Sequence, residues 1–147
     1  IVLSANIFVN MVYSETYFPV RYYETDQMAI VHHSNYIRYF ECARNNLMIE
    51  CGYPIEKCEE DGVTIPIVTV ECRYRHPAKM GDVVRSVAMI EDIPMAKLYV
   101  KQAVYNQDGV LCVEGRVSLG FLNKETGRPV RCPEKLVRAI EAHINDR

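Results

Sequence analysis

The stretch DQMAIVHHSNYIRYFECAR, residues 26–44, divides into two parts with different hydrophobic periodicity. Residues 26–33 follow neither the helical nor the strand period, so they are predicted to form a loop. From Ser34 onward apolar residues recur at steps of three and four, which predicts a helix of about 17 residues with Ser34 or Asn35 as its cap. The sequence therefore predicts a loop that carries one carboxylate and two imidazoles immediately before a long helix.

The predicted helix has one apolar face and one largely polar face. It ends where Gly52 and Pro54 interrupt the period. Because Glu41 and Arg44 are three residues apart on the polar side, they are predicted to form a structural pair at the surface or at an interface. The apolar face comprises Tyr36, Ile37, Phe40, Ala43, Leu47, Met48 and Cys51.

Five segments are rich in β-branched and aromatic residues or alternate between polar and apolar types, and they predict strands. They are residues 16–24, 65–76, 82–93, 96–106 and 110–122. The links between the last four are short, so neighbouring strands are predicted to be antiparallel. Residues 133–144 predict a short C-terminal helix. This order predicts an α+β fold in which a five-stranded antiparallel sheet wraps around one long central helix.

Composition and length favour a single domain. The 147 residues are 49% hydrophobic, carry a formal net charge of -2 and include six cysteines without a CxxC pair. Nucleic-acid binding, a zinc or redox motif and a membrane span of ~20 apolar residues therefore have no support. We expect reduced thiols in a cytoplasmic protein. Residues 1–12 are predicted to be an N-terminal leader or extension, and residues 13–147 a single domain.

Two motifs carry a family resemblance. The run Y-x-x-x-D-x-x-A-x-V-H-H-S-N-Y-x-R-Y-F-E-x-A-R, residues 22–44, resembles hotdog-fold acyl-CoA thioesterases of the 4-hydroxybenzoyl-CoA thioesterase and YbgC-like branch. A second run, R-H-P-A-K-M-G-D at residues 75–82, resembles the turn between the second and third strands of that family. The resemblance implies a hotdog fold and hydrolysis of acyl-CoA to free coenzyme A and a carboxylic acid. It also implies a homodimer or homotetramer with active sites at the dimer interface.

The resemblance carries the family's site residues onto this sequence. Asp26 matches the catalytic carboxylate, and Tyr22 and His33 match further active-site members. Tyr36 lies in the first turn of the predicted helix and is a substrate-binding candidate. No metal or cofactor is implied, since coenzyme A enters only as part of the substrate.

The chemistry of thioester hydrolysis suggests further roles. It needs a water or a nucleophile at the carbonyl carbon and a donor for the oxygen that becomes negative. Asp26 can act as general base or attack directly. Backbone amides around Ser34, Asn35 and Tyr36, at the positive end of the helix dipole, are expected to polarise the carbonyl.

The two ends of the substrate need different side chains. Lys97 and Arg75 are the first candidates for the phosphates of coenzyme A. Apolar candidates for the acyl group are Met28, Ile30, Val31, Tyr36 and Phe40.

The chain departs from the family at Ala29, where glycine is usual three residues after the aspartate. If this position has a positive φ, alanine costs on the order of 1 kcal/mol there. We then expect the loop to be shaped slightly differently from that of the family.

Two other functions are open at this point. A hotdog hydroxyacyl dehydratase or enoyl hydratase would use a loop histidine and an acidic residue well along the helix, with a proline and a glycine between them. The segment from His33 to Glu41 contains neither proline nor glycine. A non-catalytic binding module for acyl-CoA or acyl-carrier protein is favoured only by Ala29.

Overall fold

The computed structural model describes residues 11–145. Residues 1–10, which make up most of the predicted leader or extension, lie outside the described residues. The strands are β1 (Val12–Pro19), β2 (Val63–Thr64), β3 (Ile67–Tyr74), β4 (Val83–Ile90), β5 (Lys97–Tyr105), β6 (Leu111–Gly120) and β7 (Leu122–Asn123). The α-helices are α1 (Asn35–Glu50), α2 (Ile55–Glu60) and α3 (Glu134–Asn145).

The five long strands form one antiparallel sheet in the order β1-β4-β5-β6-β3, and α1 packs against it. Phe40, Ala43 and Leu47 of α1 are at most 1% exposed and share one apolar core with inward-facing residues of the sheet such as Val100 and Val117. The apolar face of α1 thus packs against the inward-facing residues of β5 in one core. The predicted α+β hotdog fold, with its central helix and short C-terminal helix, is confirmed.

The prediction that residues 16–24 form one strand is wrong. β1 ends at Pro19, and Tyr22–Glu24 form a single turn of 3-10 helix. The Glu24 carboxylate accepts the Arg21 N–H at 2.7 Å and thereby closes this turn. Tyr22 therefore lies beyond the sheet, because a local hydrogen bond to a side chain overrides the strand preference of the aromatic residues.

Three short elements that follow α1, namely α2, β2 and β7, were not predicted. The helix α2 has six residues, and β2 pairs with β7 over two residues each. Such short segments contain too few residues to display a hydrophobic period.

Arg44 is buried, and its predicted position on the polar side of α1 is wrong. Its guanidinium donates to Gln102 Oε1 at 2.9 Å, and Gln102 Nε2 donates to the Phe40 carbonyl at 2.7 Å. Burial lowers the pKa of Arg44 from its usual value. The fully buried Gln102 supplies the acceptor that a buried guanidinium requires, so Arg44 bonds to the sheet rather than forming a surface ion pair with Glu41.

Gly115 of β6 occupies a position that has no room for a side chain. It lies opposite Cys72 of β3 and Gln102 of β5 in the ladder. A Cβ atom here would overlap with the backbone oxygen of Glu71 and lie 3.2 Å from Cε2 of Phe40. The glycine thus lets β3 and α1 approach β6 closely.

Candidate active site

A tightly bonded loop after β1 presents Asp26. The Asp26 N–H donates to the Ile30 carbonyl at 2.9 Å, and the Ala29 N–H donates to the Asp26 carbonyl at 3.0 Å. The carboxylate accepts the Met28 N–H at 2.8 Å through Oδ1. Asp26 is half-buried. These bonds orient one carboxylate oxygen and leave the second oxygen of the group for other partners.

Ala29 has a φ of 60°, the only positive φ of a non-glycine residue within 11–145. Its carbonyl accepts the Met80 N–H at 3.2 Å, which ties this conformation to the segment before β4. The left-handed region costs a residue with a Cβ roughly 1–2 kcal/mol. Alanine therefore adopts a positive φ at the position where the family usually has glycine, and the cost considered for this case applies.

Replacing Ala29 with glycine is expected to raise the free energy of unfolding by about 0.5–1 kcal/mol. Relief of roughly 1–2 kcal/mol of strain exceeds the ~0.4–1 kcal/mol that glycine adds to the entropy of the unfolded chain. Urea unfolding at one protein concentration measures the difference. Ala139→Gly within α3 is the control, and it is expected to destabilise by about 1 kcal/mol. If Ala29→Gly were less stable than the wild type, the positive φ of Ala29 would not be a source of backbone strain.

The start of α1 is bonded to His32. The Ser34 hydroxyl is 2.8 Å from His32 Nδ1, and the Ser34 N–H donates to the same nitrogen at 3.3 Å. The Asn35 N–H donates to the His32 carbonyl at 2.9 Å. Ser34 occupies the cap position without a side-chain capping bond. The helix geometry then leaves the amides of Tyr36 and Ile37 without an intrahelical acceptor.

An open cleft of about 400 Å³ lies between the loop and the C-terminal end of β3. The structure brings Asp26, His33, Tyr36 and Arg75 together in this cleft. His33 is exposed, with its ring stacked on His32 at a centroid distance of 4.2 Å. The cleft thus holds a carboxylate, an imidazole and a guanidinium beside the start of α1.

Tyr36 and Cys112 form the inner wall of the cleft, and both are buried. The Tyr36 hydroxyl accepts the Ala78 N–H at 3.0 Å, and burial raises its pKa. Burial also raises the pKa of the Cys112 thiol to about 11. Both groups are therefore protonated at neutral pH, and Cys112 lacks the thiolate that a cysteine nucleophile requires.

Tyr22 lies outside this cleft. It is 79% exposed and lines a second cleft with Tyr23, Ala29 and Met80. Asp26 borders both clefts, so Tyr22 and His33 approach it from different sides within one chain.

The two predicted phosphate-binding residues lie far apart. Arg75 Nη2 is 3.1 Å from Glu114 Oε1 at the cleft. Lys97 is the first residue of β5, and the opposite end of this strand lies beside β4 and the loop. Because β5 has nine residues, its two ends are roughly 26 Å apart. Lys97 instead lines a third cleft with Tyr99 and Arg116. Lys97 and Arg75 of the same chain therefore cannot reach one substrate together.

Sequence reasoning missed four residues of the cleft, Tyr74, His76, Pro77 and Cys112. Tyr74 donates to the His33 carbonyl at 3.4 Å, and its ring lies 5.7 Å from that of Tyr36. The signal was available for Tyr74 and His76, which flank Arg75 in the sequence. Of the apolar candidates, Met28, Ile30 and Val31 line the cleft with Tyr36, whereas Phe40 is fully buried in the core. The prediction of Phe40 as a pocket residue is wrong because its side chain fills the space above Gly115.

Within residues 11–145 no three His, Cys, Asp or Glu side chains are grouped so that they could hold a metal ion. No helix of this described part is both long and apolar enough to cross a membrane.

The fold and the cleft define a hotdog-fold enzyme with a carboxylate beside a helix N-terminus. Residues 20–140 match the model of a family described as the thioesterase-like superfamily. This range contains the loop, α1 and four of the five long strands. The chain belongs to the thioesterase-like superfamily.

Similarity to individual proteins and to a solved structure supports the same family assignment. "Putative acyl-CoA thioesterase YneP" of Bacillus subtilis is 33% identical over 112 residues, 76% of this chain and 81% of that protein. Acyl-CoA thioesterase YbgC of Helicobacter pylori is 23% identical over 137 residues, 84% of this chain and 96% of that protein. The structure of the hypothetical protein TT1821 from Thermus thermophilus is 36% identical, with a TM-score of 0.81 over 88% of this chain and 98% of that chain. The predicted resemblance to hotdog thioesterases of the YbgC-like branch is confirmed.

Proposed function

We propose that the chain hydrolyses acyl-CoA thioesters to free coenzyme A and a carboxylic acid, with Asp26 as general base or nucleophile. The family and the relatives named as acyl-CoA thioesterases support the activity. The observation that carries the residue assignment is the single cleft in which the Asp26 carboxylate lies beside the first turn of α1. Asp26 and His33 are the catalytic candidates within that cleft.

Both routes through Asp26 balance without a cofactor. As a general base, the carboxylate takes a proton from water while the water oxygen bonds to the carbonyl carbon. As a nucleophile, a carboxylate oxygen bonds to that carbon, and water later hydrolyses the anhydride. In each case the C–S bond breaks and the sulfur of coenzyme A leaves as a thiolate. Because a thiolate leaves readily, His33 suits positioning of the substrate better than delivery of a proton.

The carbonyl oxygen is proposed to bind at the start of α1. Of the predicted amides, those of Ser34 and Asn35 already donate to His32, so the Tyr36 N–H, with the neighbouring Ile37 N–H, is the better donor. The helix dipole adds a partial positive charge of about half a unit at this end. Such preorganised donors stabilise the tetrahedral intermediate, and loss of one typically costs ~10²–10³ in rate.

The acyl group and the nucleotide are proposed to lie on opposite sides of the carbonyl. Met28 and Ile30 supply apolar surface for the acyl group. Arg75 can meet a phosphate by exchanging its partner Glu114, whose pKa it lowers by hydrogen bonding. Lys97 takes part only where a second chain brings it to the cleft, whereas Tyr22 borders Asp26 from the second cleft of the same chain.

We expect a homodimer or homotetramer with the active sites at the dimer interface. β3 is an outer strand of the sheet, and Ile67, Val68 and Tyr74 on it are each about half exposed. An unpaired apolar edge is a template for pairing with another chain. Since Tyr74 also lines the cleft, pairing along β3 would bring a second chain to the site. Light scattering is expected to give a mass of at least twice 16.9 kDa, and a monomer at micromolar concentration would contradict the shared site.

The first test is thiol release from a panel of acyl-CoAs from acetyl to palmitoyl, with benzoyl-CoA, followed with a disulfide dye. Turnover of at least one member is expected. Nanomolar enzyme keeps the signal of the exposed Cys42 thiol negligible. Hydration of crotonyl-CoA without thiol release would indicate a dehydratase or hydratase instead. Binding of acyl-CoA without turnover would indicate a binding module. We propose a cytoplasmic thioesterase and therefore expect neither the hydration of crotonyl-CoA without thiol release nor binding without turnover.

A further inference from the structure

The carbonyl oxygen of Glu24 accepts two hydrogen bonds from the segment that begins α1. The Asn35 side chain donates to it through Nδ2 at 2.8 Å, and the His32 N–H donates to it at 2.9 Å. Glu24 precedes Asp26 by two residues, and Asn35 is the first residue of α1. The Asn35 side-chain amide therefore joins the two parts of the molecule on which the proposed chemistry depends.

Glu24 is also held from its other side. Its carboxylate accepts the Arg21 N–H at 2.7 Å, and the residue is only 6% exposed. Asn35 is 7% exposed, so water competes little for its bond to the Glu24 carbonyl. The backbone at Glu24 is thus fixed by hydrogen bonds and burial, and the bond from Asn35 positions the start of α1 against it.

The remaining bonds of the loop connect it to itself and to the segment before β4. The Asp26 N–H donates to the Ile30 carbonyl, and an isolated bridge joins Thr25 to Val31. The Val31 N–H donates to the Ala78 carbonyl at 2.8 Å. These bonds preserve the shape of the loop and connect it to α1 indirectly through Ala78, whose N–H donates to the Tyr36 hydroxyl at 3.0 Å. The Asn35 side chain instead bonds α1 directly to the backbone at Glu24.

We propose that Asn35 is a positioning residue for the reaction at Asp26. Its side-chain amide sets the separation between the Asp26 carboxylate and the N–H groups at the start of α1. This inference rests on the proposed function, in which both groups act on one carbonyl. Reacting groups need placement to within about 0.5 Å, so a loop that shifts against α1 slows the chemical step more than it weakens substrate binding.

The variant Asn35→Ala tests the role against a matched control on the same helix. We expect kcat to fall about tenfold and KM to stay within about twofold, because a misplacement of about 1 Å costs up to ~10²-fold. In the control, Asn46→Ala, the lost amide donates to Ser14 Oγ at 2.8 Å and joins α1 to β1. Asn46→Ala also loses the bonds of the same amide to the Glu15 carbonyl at 3.4 Å and to Glu50 Oε1 at 3.2 Å, so it removes at least as much bonding from α1 as Asn35→Ala does. Only Asn35→Ala is expected to lose kcat. Equal kcat values in the two variants would overturn the proposal.

A double variant separates positioning from general weakening. If Asn35 acts through Asp26, adding Asn35→Ala to Asp26→Asn lowers the residual rate no further, because that rate no longer depends on where the carboxylate lies. The same tenfold loss in both backgrounds would overturn the role.

Failure of the proposed function has a different signature. It appears as a wild-type protein without turnover of any acyl-CoA, or as full activity of Asp26→Asn. In that case amide hydrogen exchange tests Asn35 independently. Exchange at residues 26–31 is expected to be faster in Asn35→Ala than in Asn46→Ala, and equal exchange would overturn the positioning of the loop.

Discussion

Replacement of Asp26 by asparagine is expected to lower kcat/KM for thioester hydrolysis by at least ~10²-fold. An amide neither takes a proton from water at neutral pH nor attacks a carbonyl as a carboxylate does. The substitution preserves the loop, because the Asn Oδ1 atom can still accept the Met28 N–H that Asp26 accepts at 2.8 Å. The loss is therefore chemical and leaves the fold intact.

Thiol release from the acyl-CoA that the wild type turns over best measures this loss, and circular dichroism checks the fold. Asp108→Asn is the matched control, since Asp108 lies exposed in the turn between β5 and β6 and does not line the cleft. It is expected to keep wild-type activity. An Asp26→Asn variant as active as the wild type would show that the motif serves the fold and not hydrolysis. That result would favour a lyase or a binding module.

Replacement of Gly115 by alanine is expected to lower the free energy of unfolding by about 3 kcal/mol. The new Cβ would overlap with the Glu71 carbonyl oxygen, which is backbone of β3 and cannot rotate away as a side chain could. The methyl would also press on Phe40 at 3.2 Å. β3 must move outwards or the contact between α1 and β6 must open, and either change reduces packing in the core.

Thermal unfolding at one protein concentration measures the effect, with a fall in Tm on the order of 10 °C. Gly120→Ala on the same strand is the control. A Cβ at Gly120 would meet only Val68 Cγ2 at 3.4 Å, an ordinary contact, so a change below about 1 kcal/mol is expected. Equal losses at the two glycines would show that the close approach of β3 to Gly115 contributes nothing specific.

Local pattern was sufficient for the elements and for the centre of the site. The three-and-four period placed α1 to within a residue at its start. The segment predicted as the fourth strand, residues 96–106, forms β5 (Lys97–Tyr105), with Leu98 and Val100 in the core. The motif around Asp26, His33 and Tyr36 keeps these residues in one cleft because all three lie within one loop and the first turn of one helix. Contacts between near neighbours in sequence can be predicted from sequence.

Relationships between distant residues needed the tertiary structure. Arg44 is buried because Gln102, 58 residues away, provides its acceptor. Lys97 and Arg75 both carry the charge that a phosphate requires, yet the length of β5 separates them.

The sequence by itself thus determined the central helix, the four long strands β3 to β6, the family and the catalytic candidates, all of which depend on periodicity and short motifs. Only the tertiary structure decided that Tyr22 faces a different cleft from His33, that Phe40 belongs to the core, and that Tyr74 and Cys112 line the site. The tertiary structure also decided that the Asn35 side chain donates a hydrogen bond to the Glu24 carbonyl. The physical reason is that a side chain's partner depends on which distant strand or loop the fold packs against it, and no local period encodes that choice.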